Sequence, residues 1–147
     1  MNFREWLTIS EAVEIRPPST RDDQSGADYV FDLAGLRWED GKSLWYVAAD
    51  GEDVVGAVVG KWQEDEDETW VYDFDVAVHP DYQGFARIGP KLIDTAIKEY
   101  ERRKRTVPSA EMRIYAANPK VVGFLTSRYG FQIDDEYPNG KALLSRR

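Results

Sequence analysis

Residues 76–93 read VAVHPDYQGFARIGPKLI, and the interpretation of the whole chain starts from this stretch. It begins as a buried strand, passes through a loop that contains glycine, and continues directly into a helix. The N–H groups at a helix start have no intrahelical partner and the helix dipole is positive there, so an anion such as a pyrophosphate can bind. Gly84 and Gly89 would let the backbone approach this ligand closely. An ordinary connection with Pro90 near the helix start fits the pattern equally well.

The helix that follows has the clearest periodicity in the sequence. Its apolar residues recur at helical spacing, and the basic run 102–105 lies where it complements the negative end of the helix dipole. The apolar residues are Ile88, Leu92, Ile93, Ala96, Ile97 and Tyr100.

The segments before this stretch predict further helices and strands. Residues 3–14 fit either an amphipathic helix or an opening strand, which the turn-rich stretch 16–26 ends. Residues 27–38 predict a helix. Two β-rich runs, 43–50 and 53–62, are predicted to form a hairpin because Asp50-Gly51 between them is a strong turn signal.

The rest of the chain continues the alternation of strands and helices. The acidic run 64–68 is predicted at an exposed hairpin tip, where a solvated loop is favoured over a cation site. The other predicted elements are strands over 69–78 and 111–117, a helix over 119–129 closed by Gly130, and two short strands around the turn 138–140. At 147 residues without a repeat, the chain predicts a single domain, 1–147, with one core.

The composition excludes several classes of site. Without cysteine the chain has no thiolate nucleophile, disulfide or thiolate metal site, and its one histidine, His79, rules out a multi-histidine metal site built from this chain alone. A formal net charge of −8 argues against nucleic acid as the main partner and weakly favours a cationic ligand. The chain has neither a signal-peptide pattern nor a membrane-length apolar run, so we expect a cytoplasmic protein.

Two motifs together resemble the GNAT acetyltransferases. The run Val-His-Pro-Asp-Tyr-Gln-Gly, 78–84, followed by Ile-Gly and an amphipathic helix, resembles the coenzyme A loop of that superfamily. Asn118 after a strand, followed by Phe124 and by Tyr-Gly-Phe at 129–131, is similar to the family's closing element. The order of elements over residues 43–147 also matches, so the chain is identified as a member on two motifs and their order.

The resemblance implies an α/β fold with a twisted mixed sheet flanked by helices. Its two central parallel strands, 70–78 and 111–117, would splay apart to admit acetyl-CoA, with the acyl group emerging between them. Asn118 would contact the donor near its thioester. The backbone of Val76, Ala77 and Val78 would contact the pantetheine arm, and the pyrophosphate would be wrapped by Gln83, Gly84, Phe85, Ala86, Arg87, Ile88 and Gly89.

The chain departs from the family pattern at two places. Ala86 and Ile88 replace the two glycines usual in the family loop, or one residue is inserted, and Arg87 would add positive charge beside the phosphates. Thr126 stands where the family commonly has the tyrosine that protonates the departing thiolate, and a threonine hydroxyl is a much weaker acid. Water or Tyr129 would then be the alternatives.

The strand before the loop carries the candidates for a general base. Asp73 and Asp75 share one face with Ala77 and His79, and an acidic side chain there could accept the proton of a substrate ammonium. Hydrogen-bonded sheet residues are the alternative interpretation of both aspartates, and His79 is a reserve candidate that also fits a surface turn. Core packing is favoured over an acceptor pocket for the aromatic residues Trp38, Trp45, Trp62, Trp70, Tyr72 and Phe74.

The function implied by the resemblance is acetyl transfer from acetyl-CoA to a primary amine of a small molecule or a protein. The amine would attack directly in a ternary complex, without a covalent enzyme intermediate and without a metal. The sequence does not identify the amine, and a homodimer is left open. The alternative is a catalytically weak domain of the same fold that binds a partner protein, which the absence of tyrosine at position 126 supports.

Overall fold

The structure is a computed structural model that describes residues 13–36, 41–64, 70–83, 87–107, 109–116 and 119–147. Within these ranges it has three α-helices, α1 (Arg21–Leu33), α2 (Ile88–Lys104) and α3 (Pro119–Tyr129). Seven strands form one mixed sheet in the order β1-β2-β3-β4-β5-β7-β6. They are β1 (Val13–Arg16), β2 (Ser43–Asp50), β3 (Asp53–Glu64), β4 (Trp70–Val78), β5 (Glu111–Ala116), β6 (Gln132–Glu136) and β7 (Ala142–Arg146).

Most strands pair antiparallel, as they do in β1–β2, β2–β3, β5–β7 and β6–β7. The exception is β4 with β5, which are parallel, as predicted for strands connected through a helix. The predicted hairpin at Asp50-Gly51 is confirmed: Asp50 pairs with Asp53, and Gly51 has a φ of +62°. The helix that ends before Gly130 and the turn around residues 138–140 are confirmed as well.

The chain divides into two compact units, of which the first is Met1–Gly60 with Val76–Glu99 and the second Lys61–Asp75 with Tyr100–Arg147. The single domain therefore stays a prediction. In the first unit, α1 contributes Ala27, Val30 and Phe31 to a buried cluster with Ala57 and Val59 of β3 and Ala77 of β4. Because side chains alternate along a strand, the neighbouring Gly56 approaches α2, and a Cβ there would lie 2.8 Å from Leu92. The two helices thus cover opposite faces of β3.

The prediction for α2 is confirmed, and the prediction for α1 is wrong at both ends. Every one of the six apolar residues predicted for the buried face of α2 is at most 3% exposed. Helix α1 begins at Arg21 rather than at residue 27 and ends at Leu33, while Trp38 lies outside the described residues. It begins early because Thr20 and Asp23 form a capping box, so part of the stretch predicted as turns is helical.

Other boundaries were also changed by the structure. Val13 and Glu14 belong to strand β1, which decides between the two alternatives for those residues, while residues 3–12 lie outside the described ranges. Glu64 is the exposed last residue of β3, two residues beyond the predicted end, and the acidic residues 65–68 also lie outside the described ranges.

The second unit has an aromatic core. Tyr72, Phe74 and Tyr100 are fully buried, and the hydroxyl of Tyr100 donates to the carbonyl oxygen of Ala110 at 2.9 Å. The rings of Trp62 and Tyr72 meet edge to face at 4.8 Å. Core packing is therefore confirmed for Tyr72 and Phe74, whereas Trp70 at the start of β4 is exposed and was predicted wrongly.

Candidate functional site

The described part of the loop between β4 and α2 is held by backbone hydrogen bonds within the first unit. The N–H of His79 donates to the carbonyl oxygen of Val55 at 2.8 Å, which ties the end of β4 to β3. A single 3-10 turn follows over Pro80–Tyr82. The side-chain amide of Gln83 donates back to the carbonyl oxygen of Val78 at 3.2 Å. The predicted residues Val76, Val78 and Gln83 are therefore placed at one end of the sheet.

His79 has a structural role in this turn. Its Nδ1 accepts a hydrogen bond from the N–H of Asp81 at 3.1 Å, so this nitrogen cannot also accept a substrate proton. The imidazole packs edge to face on Tyr82, with the ring centroids 5.8 Å apart. The Tyr82 hydroxyl donates to Asp50 Oδ2 at 3.3 Å, and burial, together with this carboxylate, raises the pKa of Tyr82. These contacts fit the interpretation of His79 as a turn residue rather than a base.

The start of α2 has an unusual backbone. Arg87 has a φ of +52°, a left-handed conformation that is uncommon for any residue but glycine. Its carbonyl oxygen accepts the hydrogen bond of Lys91 N–H at 3.0 Å, which makes Arg87 the residue at which the helix begins. Strain of this kind persists where the surrounding structure holds it, often at ligand sites.

Gly89 in the first turn of α2 has space around it that packing does not use. Among the described residues, a Cβ at Gly89 would meet only Val78 Cγ2, at an ordinary 3.6 Å. Added Cβ atoms at Gly26 and Gly56 would instead lie 2.8 Å from Val54 and from Leu92, respectively, so those two glycines are required by close packing. The absence of a side chain at Gly89 is therefore not explained by the fold of the first unit.

The described part of the loop fits an anion. The N–H groups of Ile88 and Gly89 stand in the first turn of the helix, where backbone donors have no partner within the helix. The first turn of α2 has no acidic residue, and Arg87 is exposed beside it. The predicted residues Gly84, Phe85 and Ala86, as well as Asn118, lie outside the described residues, so their roles stay predictions.

In the second unit, the register between β4 and β5 distinguishes the two candidate bases. The ladder runs from Val71↔Glu111 to Phe74↔Ile114 and places Asp73 beside Arg113. The Arg113 guanidinium donates to Glu111 Oε1 at 3.3 Å, and an opposite charge on the neighbouring strand stabilises a sheet, which fits the structural interpretation of Asp73. Asp75 follows the last pair of the ladder, and both aspartates are partly exposed.

Strand β5 continues past the end of this ladder. Its last two residues, Tyr115 and Ala116, pair with Leu143 and Ala142 of β7 on the other side. Tyr115 is 40% exposed, and its ring meets that of Tyr137 at a centroid distance of 5.9 Å. Tyr115 was not among the predicted site residues, although the alternation of polar or aromatic Arg113 and Tyr115 with apolar Met112 and Ile114 is visible in the sequence.

The residue at the family's tyrosine position is fully engaged in its own helix. The hydroxyl of Thr126 shares its hydrogen bond between two helix carbonyl oxygens, that of Val122 at 3.0 Å and that of Gly123 at 3.2 Å. Its proton is thereby directed into α3. The other alternative, Tyr129, packs edge to face on Phe124 with centroids 5.5 Å apart, and the Arg128 guanidinium lies 5.8 Å from its ring.

The described ranges contain neither a metal site nor a membrane-spanning helix. No group of three or more histidine, aspartate or glutamate side chains there could hold a metal ion. Among the described helices, none is long and apolar enough to cross a membrane.

Known proteins match the chain in sequence pattern and in fold. The family model of the GNAT acetyltransferases matches residues 5–131, whereas no curated protein matches in sequence. Naa50 of Arabidopsis thaliana, in complex with the bisubstrate analogue CoA-Ac-MVNAL, has a TM-score of 0.67 and 14% identity over 92% of this chain and 99% of its own. A GCN5-related N-acetyltransferase from Kribbella flavida has a TM-score of 0.67 and 14% identity over 92% and 98%. The protein yncA from Salmonella typhimurium, solved with its cofactor acetyl-CoA, has a TM-score of 0.66 and 17% identity over 92% and 94%.

Proposed function

Because this chain belongs to the GNAT acetyltransferase family, we propose that it transfers an acetyl group from acetyl-CoA to a primary amine by direct attack. The family and the predicted fold are confirmed by the match over residues 5–131 and by the solved structures that share the mixed sheet. The observation that carries the proposal is the start of α2, where Gly89 leaves space that packing does not require, beside the exposed Arg87.

The donor would be held largely by the backbone. Acetyl-CoA supplies an activated acetyl thioester, and the chain has to bind and orient it. In this proposal Val76, Ala77 and Val78 contact the pantetheine arm, Asn118 lies near the thioester, and the pyrophosphate is held by the N–H groups of the loop from Gln83 to Gly89. The charge of Arg87 adds to that attraction. Solved structures of the same fold that contain acetyl-CoA support this assignment.

Asp75 is the stronger candidate for the general base. An amine with the pKa of lysine, about 10.4, is almost wholly protonated at neutral pH and must lose a proton before its nitrogen can attack. Asp73 is the register neighbour of Arg113 and so lies beside a charged pair of the sheet, Arg113 with Glu111. Asp75 lies beyond the last ladder pair and is partly exposed. We therefore assign the proton transfer to Asp75, directly or through water.

The acceptor is proposed at the level of its chemistry. A primary amine is cationic before it reacts, and the net charge of −8 would attract it. Naa50, which shares the fold, was solved with an analogue that joins CoA to the peptide MVNAL, and this supports a peptide or protein amine beside small amines. We further propose that the reaction takes place in the cytoplasm, which a chain without cysteine fits.

The test combines donor binding with turnover. Acetyl-CoA should raise the melting temperature because it binds only the folded state. A panel of polyamines, amino acids, aminoglycosides and lysine peptides should then contain an amine that accelerates release of CoA above hydrolysis. Absence of a thermal shift at saturating acetyl-CoA would disprove donor binding. A shift without turnover would favour the alternative, a partner-binding domain that retains CoA as a structural ligand.

Substitution of the two aspartates tests the assignment of the base. Asp75→Asn should lower kcat by about 10²-fold or more at neutral pH, the range typical of a general base, while acetyl-CoA affinity is unchanged. A higher pH should partly restore the rate because more of the amine is then neutral. Asp73→Asn should mainly lower the melting temperature, and Asp134→Asn on exposed β6 is the matched control. A loss below about threefold for Asp75→Asn would exclude it as the base.

A further inference from the structure

The second unit contains an exposed phenol whose hydroxyl has no hydrogen bond to another described residue. Two of its tyrosines, Tyr72 and Tyr100, are fully buried. Tyr115 is 40% exposed, and no residue in the described ranges forms a hydrogen bond with its hydroxyl. The family position for a tyrosine acid holds Thr126, whose proton is directed to the helix carbonyls of Val122 and Gly123. The second unit therefore has an exposed tyrosine hydroxyl, but it lies on strand β5 instead of on helix α3.

The register places this phenol on the same face as the proposed base. Asp73 and Arg113 are neighbours in a parallel ladder, and side chains of register neighbours point to the same face. One alternation further along each strand come Asp75 and Tyr115, directly after the last pair of the ladder, Phe74↔Ile114. A carboxylate and a phenol thus follow the end of the ladder on the same face of two neighbouring strands.

The ring of Tyr115 is supported without engaging its hydroxyl. Tyr137 meets it edge to face at a centroid distance of 5.9 Å, with the two rings inclined at 61°. The N–H of Tyr137 donates to the carbonyl oxygen of Lys141 at 2.9 Å, which fixes the backbone of that neighbour. On its own strand, Tyr115 is paired with Leu143 of β7. The phenol is therefore oriented by ring packing and by the β5–β7 ladder.

We propose that Tyr115 is the general acid of the transfer, in place of the missing tyrosine at position 126; the proposal rests on the proposed function. The amine nitrogen, after losing a proton to Asp75, forms a bond to the acetyl carbon. The bond between that carbon and sulfur breaks, and its electron pair goes to sulfur. The hydroxyl of Tyr115 gives its proton to the sulfur, which yields the thiol of CoA. The nitrogen, which carries one proton too many after the bond has formed, gives that proton through water to the phenolate, and the proton that Asp75 accepted is released to solvent, so protons and electrons balance.

Tyr115→Phe tests the acid directly because it keeps the ring against Tyr137 and removes only the hydroxyl. We expect kcat to fall about 100-fold. The KM of the amine should stay within about twofold of the wild-type value, and the melting temperature within about one degree of it. With an acetyl thioester of a more acidic thiol as donor, kcat should fall much less in Tyr115→Phe, because that sulfur can leave as a thiolate without receiving a proton. Tyr137→Phe is the matched control and should retain the rate.

Binding of CoA gives a readout that needs no turnover. At about pH 9 most of a thiol with a pKa of about 8.5 is ionised, and a phenol can donate a strong hydrogen bond to that thiolate. Calorimetry at this pH should show CoA bound about tenfold more weakly by Tyr115→Phe than by the wild type, with acetyl-CoA affinity unchanged.

The outcomes separate the acid from the transferase function. A wild type that acetylates an amine, with a Tyr115→Phe variant within about threefold of it, overturns the acid and leaves the function standing. Equal losses in Tyr115→Phe and Tyr137→Phe also overturn it, because both hydroxyls would then act through structure. A wild type that binds no acetyl-CoA overturns the proposed function itself. If acetyl-CoA binds but no amine reacts, the comparison of CoA affinity between Tyr115→Phe and the wild type decides the proposal: equal affinities overturn it.

Discussion

The two helix starts of the first unit use their backbone donors in opposite ways. At α1 the side chain of Thr20 accepts a hydrogen bond from Asp23 N–H at 3.2 Å. Asp23 Oδ2 in turn accepts from the N–H groups of Ser19 and Thr20 at 2.7 and 3.3 Å. The guanidinium of Arg16 donates two hydrogen bonds to the same carboxylate, at 2.7 and 2.9 Å. Two donors before the first turn of α1 and one within it are thus satisfied by side chains of the chain itself.

At α2 the described residues leave the first turn open. It contains no acidic side chain, Pro90 removes one N–H, and Arg87 is held at a φ of +52°. Both helices also contain a glycine near their start, but Gly26 is needed against Val54 whereas Gly89 has room for a side chain. The difference is that side chains cap the start of α1, whereas the site proposed at the start of α2 would leave its donors to a ligand.

The largest expected effect concerns the structural helix start. Asp23 is 3% exposed, and its replacement by alanine leaves Arg16 and two backbone N–H groups without their acceptor. We expect Asp23→Ala to lower the free energy of unfolding by about 3–5 kcal/mol, as for other buried ion pairs that lose one partner. Urea unfolding at pH 7 measures this loss. Asp28→Ala on the exposed face of α1 is the matched control and should change stability by less than about 0.5 kcal/mol.

The pH dependence of this effect has a definite sign. The hydrogen bonds of the Arg16 guanidinium hold the pKa of Asp23 far below its usual range, against the opposing effect of burial. A lowered pKa means that the stabilisation is complete above the unfolded value, about 3.9, and is lost progressively as the pH falls below it. The difference between wild type and Asp23→Ala should therefore shrink below about pH 4. A difference that stays constant down to pH 2 would contradict the ion pair as its source.

The next effect in size concerns the open helix start. Gly89→Ala should weaken acetyl-CoA binding by about tenfold or more, because the added methyl group occupies space proposed for the phosphates. Its stability should be equal to the wild type or up to about 1 kcal/mol higher, since alanine is the better helix former. Calorimetry and thermal unfolding measure the two quantities.

Gly56→Ala is the matched control for this substitution. Its Cβ would lie 2.8 Å from Leu92 and 3.1 Å from Ile88, so it should lower stability by about 1–3 kcal/mol through overpacking. The folded protein should still bind acetyl-CoA. If Gly89→Ala binds the donor normally, the space beside the helix start has no role in binding, and the comparison between the two helix starts fails.

Sequence patterns predicted the elements that are determined locally. Helical spacing identified α2 because apolar residues recur three or four positions apart along it, and Asp50-Gly51 identified the first hairpin. The start of α1 was missed because Pro17, Pro18 and Gly26 suggested turns, although Thr20 and Asp23 have the spacing of a capping box.

The candidate site was only partly predictable for a different reason. Asp73 and Asp75 have the same spacing pattern, so only the register with β5 distinguishes them, and register depends on contacts between distant segments. The exposure of Tyr115 depends on where the ladder between β4 and β5 ends, and the sequence of β5 does not indicate that position. The roles of Gly84 and Asn118 stay predictions.

The smallest expected effect separates strain from charge at Arg87. Arg87→Gly removes a left-handed strain of about 1–2 kcal/mol but adds about 0.5–1 kcal/mol of backbone entropy to the unfolded chain, so stability should rise by about 0.5 kcal/mol. Acetyl-CoA affinity should fall about threefold to tenfold because a cation beside the phosphates is lost, and the fall should diminish at high salt. Arg87→Lys keeps both the charge and the strain, so its stability should match the wild type and most of the affinity should remain. Calorimetry at low and high salt, with thermal unfolding of both variants, measures these effects. An Arg87→Gly variant that is less stable and binds acetyl-CoA as tightly as the wild type would show that Arg87 serves the fold, and that α2 begins for the same reason as α1.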